Sequence, residues 1–406
     1  MKLDQHILTQ LLNKYGSPLY IFHKSEFVKN YIELLDSVRK IYPKYNIAYS
    51  YKTNYTPEIC KIVKDLGGFA EVVSEMEYEL AKKIGYMNDA IIYNGPVKGS
   101  GLFEHLENGG VINVDNTEEL AIIVAHANEN KEKTYKIAFR VNINVGQNYI
   151  SRFGIDADGS VLDEAVSQVK SINNIQLVGL HCHIGRSREI QSWEKRVKIM
   201  LSLVEKYFDS PPEFINLGSG MYSKMEPTLA EQFGDYIPDY SEYSNVIGKE
   251  MIEKFGHLSY EQQPLLITEP GTTVVSSYIT FISKVLSIKN IKNKNFAVLD
   301  SSYGNIGDIC RLKQLPITVF SEGAYHKNVD FVGYTCLEHD VMYRDFCGKL
   351  AAGDMIEFRN VGSYSNVFKP PFIAPNCAMI EIDEQQNTKL IKRKETFDDI
   401  FQTYQF

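Results

Sequence analysis

The sequence predicts an α/β protein built as a (β/α)8 barrel with a second, C-terminal β-rich domain, and three observations carry that expectation. Eight short apolar runs, each ending in polar residues or glycine, alternate with helical patterns through the first two thirds of the chain. After about residue 275 the texture changes to β-rich segments without helices of matching length. With 406 residues, 44% of them hydrophobic, the chain can bury one large core and a second, smaller one.

The eight runs fall at residues 46–51, 69–73, 90–94, 111–115, 136–143, 177–184, 214–219 and 264–269. Strand and helix alternating eight times reads as a closed barrel rather than an open sheet. Among the helices, 192–207 places Trp193, Val197, Met200, Leu201 and Val204 on one face. Another starts at Ser74, with Glu77 three residues on in position for a capping box. These elements assign residues 25–275 to the barrel. Strand segments at 276–288, 295–299, 354–358 and 378–382 assign residues 276–406 to a β-sandwich or β-barrel domain. The run 18–22 precedes the barrel's first helix and adds a strand to that domain, so residues 1–24 are expected there too. No low-complexity linker marks the boundary.

Composition narrows the function classes. A net charge of −8 without a Lys/Arg cluster disfavours nucleic acid as a partner, because backbone-phosphate binding needs concentrated positive charge. A small molecule is expected instead. Six cysteines (60, 182, 310, 336, 347, 377) without CxxC spacing fit reduced thiols better than disulfides or structural zinc. The charged, amphipathic first fifteen residues and the lack of a long uncharged apolar stretch lead to the expectation of a cytoplasmic protein without membrane association.

In such a barrel the active site lies at the carboxyl ends of the strands. The first run leads into Lys52, the second carries Glu71 and the sixth His181 and His183; the seventh ends in Gly218-Ser219-Gly220 and the eighth in Glu269-Pro270-Gly271. A lysine there points inward, where desolvation favours the free amine needed for imine chemistry. Taken alone, Lys52 reads equally well as a residue snorkelling at the rim. Loops after strands seven and eight commonly bind a phosphate through backbone N–H groups, which gives weight to a Gly-x-Gly that elsewhere signals only a tight turn. An imine-forming lysine, a phosphate cradle and an acid, Glu269, able to keep a pyridine nitrogen protonated are together what pyridoxal 5′-phosphate (PLP) requires. His181 and His183 alternate to one side of a strand and could pair on a metal. No further ligand is convincing at the other strand ends, so no metal is expected. His183 reads better as a ring stacked on the cofactor, and His181 as a hydrogen-bonded core residue.

With these residues in hand, the chain resembles the diaminopimelate and ornithine decarboxylase family, the barrel-fold (fold type III) PLP decarboxylases, as a divergent member. The matching segments are Tyr49-Ser50-Tyr51-Lys52-Thr53-Asn54, Ala70-Glu71-Val72-Val73-Ser74, Ser151-Arg152-Phe153-Gly154, Gly179-Leu180-His181-Cys182-His183-Ile184-Gly185, Asn216-Leu217-Gly218-Ser219-Gly220, Glu269-Pro270-Gly271, 336–340 and Gly362-Ser363-Tyr364. The resemblance implies PLP as cofactor, Lys52 as the Schiff-base lysine, His183 as the stacked ring, Glu269 as pyridinium partner and Gly218, Ser219 and Gly220 as the phosphate loop. Glu71, Gly271 and Tyr364 join the cofactor-binding set. It also implies a homodimer in which Cys336, Asp340 and Tyr364 reach into the partner's barrel, with Cys336 as the proton donor and Arg311, Glu338, Asp340 and Tyr364 around the substrate.

Three departures bear on the substrate. The family's Glu-Pro-Gly-Arg ends here in Thr272, while the position after His-Ile-Gly, commonly serine, is Arg186. One arginine lost and one gained suggests relocation, with Arg186 taking the phosphate charge; a solvent-facing Arg186 is the plainer reading. The Cys-Glu-Ser-x-Asp motif appears as Cys336-Leu337-Glu338-His339-Asp340, so Leu337 replaces a carboxylate that would read a distal amine, and Leu315 stands where a tyrosine would follow Arg311. A modified or conjugated amino acid is therefore expected in place of diaminopimelate. A PLP racemase shares the architecture but is disfavoured by the Cys336 and Glu269 motifs. A catalytically inactive regulatory relative is disfavoured by the retention of Lys52 and Cys336.

Overall fold

The computed structural model describes residues 3–234 and 236–406. The chain divides into two compact units. The barrel unit comprises Tyr31–Tyr222 and Tyr236–Thr273; the sheet unit comprises Met1–Asn30, Ser223–Asp235 and Val274–Phe406. The boundaries thus fall after Asn30 and Thr273, against 25 and 275 from the sequence. The segment Ser223–Asp235, expected within the barrel, goes with the sheet unit. Its polar groups find their partners there: Arg359 Nη2 donates to Glu226 Oε2 at 2.9 Å, and Gln232 Nε2 to the Gln314 carbonyl at 2.8 Å.

Eight parallel strands form the barrel: β1 (Tyr45–Ser50), β2 (Phe69–Val72), β3 (Ile91–Tyr93), β4 (Val111–Val114), β5 (Tyr135–Asn142), β6 (Ile175–His181), β7 (Phe214–Asn216) and β8 (Leu265–Thr268). Each pairs with the next, and β8 closes on β1 through Leu266↔Tyr45 to Thr268↔Ile47. Buried on both faces, they read as continuous apolar runs rather than alternating ones. Ala48, Ile92, Ala138, Val178, Phe214 and Ile267 form one interior cluster drawn from six of the strands. The expected runs overshoot the observed strands by one to three residues at most carboxyl ends. The chain stops pairing where polar residues turn out of the ladder, and Lys52 accordingly sits in a short 3-10 turn, Tyr51–Thr53.

The helix expected from 192 starts slightly earlier, at Ile190, and ends at Tyr207. The helix Glu75–Ile84 is capped by Ser74, whose side chain accepts from the Glu77 N–H. The box is only half formed: Glu77 Oε2 instead accepts from the Val73 N–H at 2.8 Å, tying the helix to the end of β2.

Among the described residues the sheet unit holds nine strands. Leu19–His23 lies antiparallel to Ile279–Ile291 and parallel to Ala378–Ile382, so both ends of the chain share one sheet. Its core includes Leu8, Leu11 and Leu12 of the N-terminal helix Gln5–Tyr15 against Leu19, Ile21, Ile282 and Ile380. Strands Lys294–Leu299, Met355–Phe358 and Ala378–Ile382 follow the sequence expectation, whereas Ile317–Phe320, Ala324–Val332, Val341–Leu350 and Thr388–Lys392 are additional. Among the described residues no helix is long and apolar enough to cross a membrane, and the six cysteines form no disulfide.

Candidate active site

A cavity of about 410 Å³ opens in the barrel unit at the carboxyl ends of the strands. Lys52, Glu71, His181, His183, Arg186 and Glu269 all line it, together with Asn94, Arg140, Tyr149 and the loop Ser151-Arg152-Phe153. Its floor is an interlocked set of polar groups. Lys52 Nζ lies 2.6 Å from Glu71 Oε2, which also accepts from the Ser50 hydroxyl. Asn94 Nδ2 bridges the two acids, donating to Glu71 Oε1 at 3.0 Å and Glu269 Oε1 at 2.7 Å; Asn113 Nδ2 in turn donates to Asn94 Oδ1 at 2.6 Å.

Glu269 is fully buried. Asn216 Nδ2 also donates to its Oε1 at 2.7 Å, and its Oε2 faces His181 Nε2 at 3.2 Å and His183 Nδ1 at 3.4 Å. Burial alone would raise this carboxyl, but His181, and after it His183, hold it well below the usual carboxylate range. A carboxylate met by donors at both oxygens stays ionised inside the protein. Burial pushes the His183 imidazole down to about 4 against the pull of Glu269, leaving it neutral at physiological pH. The opposite shift appears at Glu77, raised to about 7 by burial and then by Glu71. Ligand atoms of His181, His183 and Glu269 lie within 4.8 Å of one another, so Glu269, read from the sequence as the pyridinium partner, also forms a three-residue cluster with the histidine pair.

The glycine loop stands beside this floor. Gly218 O accepts from the Glu269 N–H at 2.8 Å, linking the loop to β8. Gly220 adopts φ +108°, and a Cβ there would fall 2.1 Å from the Ile184 carbonyl, so only glycine allows this approach. Gly271 packs on the lysine turn: a Cβ would stand 2.0 Å from Thr53 Oγ1. Thr272 opens the four-residue helix Thr272–Val275 and is half-buried. Arg186 is exposed at the rim, 5.9 Å from the Tyr149 ring centroid.

These residues fit PLP. They offer a lysine amine, a buried anionic carboxylate, an imidazole facing the cavity and a loop whose two glycines pack too closely to carry side chains. The sequence from 28 to 276 matches the family model "Pyridoxal-dependent decarboxylase, pyridoxal binding domain". The chain belongs to the pyridoxal-dependent decarboxylases. Residues 272–362 match the C-terminal sheet domain of the same family. The protein is thus a PLP-dependent amino-acid decarboxylase of the barrel-plus-sheet fold.

Similar proteins include the diaminopimelate decarboxylase of Aquifex aeolicus, 26% identical over 96% of this chain and 92% of that one. L-glutamyl-[BtrI acyl-carrier protein] decarboxylase of Niallia circulans is also 26% identical, over 99% of this chain and 97% of its own. Among solved structures, diaminopimelate decarboxylase from M. jannaschii superposes with a TM-score of 0.85 at 23% identity, covering 98% of this chain and 94% of that one.

The remaining expected site residues belong to the sheet unit. A second cavity, of about 340 Å³, is lined there by Tyr303, Arg311, Leu337, Tyr364, Phe368 and Lys369, with Pro370, Pro371 and Phe372. Arg311 Nη2 donates to the Tyr303 hydroxyl at 2.8 Å, and its guanidinium lies 4.8 Å from that ring's centroid. Tyr364 has φ +50° and is 40% exposed; Cys336 and Glu338 are exposed. Asp340, expected to reach a substrate, is buried with its carboxylate engaged in its own turn. It accepts from the Thr335 hydroxyl at 2.5 Å and the Tyr303 N–H at 2.7 Å. Leu315 is a core residue, 1% exposed.

Sequence reading assigned no role to Asn94, Asn216, Arg140 or Arg196. The first three follow the same strand-end rule that singled out Lys52 and Glu269, and so were findable. Arg196 is hidden within an apolar helix stripe.

Proposed function

We propose that the protein decarboxylates a modified or conjugated amino acid whose distal part carries no ammonium group. The observation that carries this reading is the lining of the sheet-unit cavity: Arg311 and Lys369 are its charged residues, amid aromatic, proline and leucine side chains and without a carboxylate. A distal ammonium bound there would lack a charge partner, whereas an anionic or apolar extension meets Arg311, Lys369 and Phe368. The name of the Niallia circulans relative, which describes a glutamyl group on an acyl-carrier protein, agrees with an extended substrate.

In this reading Lys52 would hold the cofactor through its amine. When bound, PLP would supply an electron sink for the pair left at Cα by departure of the α-carboxylate as CO2. Glu269, ionised and rigidly held by Asn94 and Asn216, keeps a proton on the ring nitrogen. His183, neutral, offers a flat face beside it. Gly218, Ser219, Gly220, Gly271 and Thr272 seat the phosphate, with Arg186 as a screened charge at the rim. The chain works as a homodimer in which Cys336 Sγ of one copy delivers a proton to Cα in the other's barrel. Arg311 and Tyr364 then contact substrate, with Glu338 outside the cavity lining and Asp340 holding their loop.

A panel of free amino acids, diaminopimelate, and acyl or carrier conjugates, assayed for CO2 release, tests the substrate class. The expected result is kcat/KM highest on a conjugate and lower by at least about a hundredfold on diaminopimelate, on the scale by which unpaired polar groups discriminate. Diaminopimelate turned over as well as any conjugate would refute it.

A further inference from the structure

The helix Ile190–Tyr207 buries a guanidinium. Arg196 stands three residues after Trp193 and four before Met200, on the apolar stripe, and is wholly inaccessible. Nη1 donates to the carbonyls of Leu217 at 3.1 Å and Ser219 at 2.7 Å, and Nη2 to that of Ile184 at 3.1 Å. Nε has no hydrogen-bond partner. The guanidinium lies 4.0 Å from the Trp193 ring centroid, and among the described residues no carboxylate forms an ion pair with it. Burial pushes its pKa down to about 10, which leaves it charged at neutral pH. A buried cation without an acid beside it is costly unless an anion answers it.

The three carbonyls show where that anion belongs. A trans peptide is planar, so each C=O points opposite to the N–H of the following residue. Turning the carbonyls of 184, 217 and 219 toward Arg196 therefore turns the N–H groups of Gly185, Gly218 and Gly220 away from it. Asn216 Oδ1 accepts from Gly218 at 2.9 Å. The N–H groups of Gly185 and Gly220 have no acceptor among the described residues. Gly220 packs closely on the carbonyl of Ile184, whose peptide carries the Gly185 N–H, and Gly185 lines the barrel cavity.

We propose that Arg196 is the positioning residue of the phosphate seat: it orients the glycine loop from behind and supplies the buried positive charge that Thr272 cannot. This rests on the reading that the 218–220 loop holds the PLP phosphate.

The test compares affinities of the cofactor-stripped full-length protein for PLP and for pyridoxal, which lacks the phosphate. The parent should prefer PLP strongly; equal affinities would refute the phosphate-loop reading itself. Arg196→Met should weaken PLP binding by about ten- to a hundredfold, the range for loss of a charge-assisted interaction, while pyridoxal affinity stays within about twofold. Arg196→Lys keeps the charge but cannot serve three carbonyls, and should fall between parent and Met. A parallel loss of both affinities would make Arg196 a general structural residue, and an unchanged PLP affinity would also overturn the proposal. If Arg196→Met does not fold, Arg196→Lys decides: an undiminished preference for PLP over pyridoxal contradicts it.

Discussion

In the barrel cavity every ionisable group on the floor is tied to another. Lys52 meets Glu71, Asn94 spans Glu71 and Glu269, and Glu269 is shared by Asn216 and two histidines. The sheet-unit cavity is put together differently, from loop residues, with Arg311 against Tyr303 and Lys369 Nζ donating to Asn376 at 3.1 Å among prolines and aromatic rings. The first arrangement holds charges in fixed places before any ligand arrives, which suits stabilisation of developing charge. The second presents cations amid apolar surface, which suits selection of a substrate. Changes in the barrel set should therefore disable chemistry, and changes in the sheet set should redirect it.

The largest effect expected from a single atom exchange is in the barrel. Glu269→Gln removes the anion but keeps the shape, and should lower kcat by about a hundred- to ten-thousandfold while absorbance still reports bound PLP. Loss of the chromophore in place of turnover would mean that Glu269 chiefly retains cofactor. In the sheet unit, Leu337→Glu should instead redistribute activity, raising kcat/KM for diaminopimelate by about ten- to a hundredfold through one new charged contact. If activity on every substrate falls alike, Leu337 acts outside selection.

Smaller effects sharpen the comparison through stability. His23 of the sheet unit is buried, its Nε2 3.0 Å from Thr280 Oγ1, and burial first of all pushes its pKa down to about 4. The unfolded chain binds this proton near 6.5 while the folded chain refuses it, so the contribution is complete above about pH 6.5 and is lost as pH falls toward 4. Denaturant unfolding should show His23→Gln with a shallower acid loss, by up to about 1.4 kcal/mol per pH unit. Superimposable pH profiles would place the acid sensitivity elsewhere. The smallest effect belongs to Arg186→Ala: an exposed, screened guanidinium should cost PLP affinity only about two- to fivefold. A loss above tenfold would return the phosphate charge to Arg186.

Much of the barrel was legible because parallel strands buried on both faces leave continuous apolar runs, and because polar residues just beyond them, Lys52 and Glu269 among them, have no structural reason to be there. The sheet unit was less so. Ala324–Val332 and Val341–Leu350 carry register shifts, and Asn328 and Asp345 have positive φ, so the alternation that marks a strand is broken. Thr388–Lys392 is a partly exposed strand at the end of its sheet with little apolar content. Arg196 escaped notice because a helix stripe is read by its apolar members, and an arginine between Trp193 and Val197 passes for an edge residue.

The division of labour stands or falls on where the cofactor is attached. Borohydride reduction of the purified protein, followed by peptide mass analysis, should place the pyridoxyl group on Lys52 and bleach the yellow chromophore. Lys98 is the contrasting buried lysine of the barrel unit, with its amine 2.6 and 2.8 Å from the two Glu119 oxygens. Label on Lys98 or any other lysine, or a protein that binds PLP without forming a reducible bond, would contradict the account.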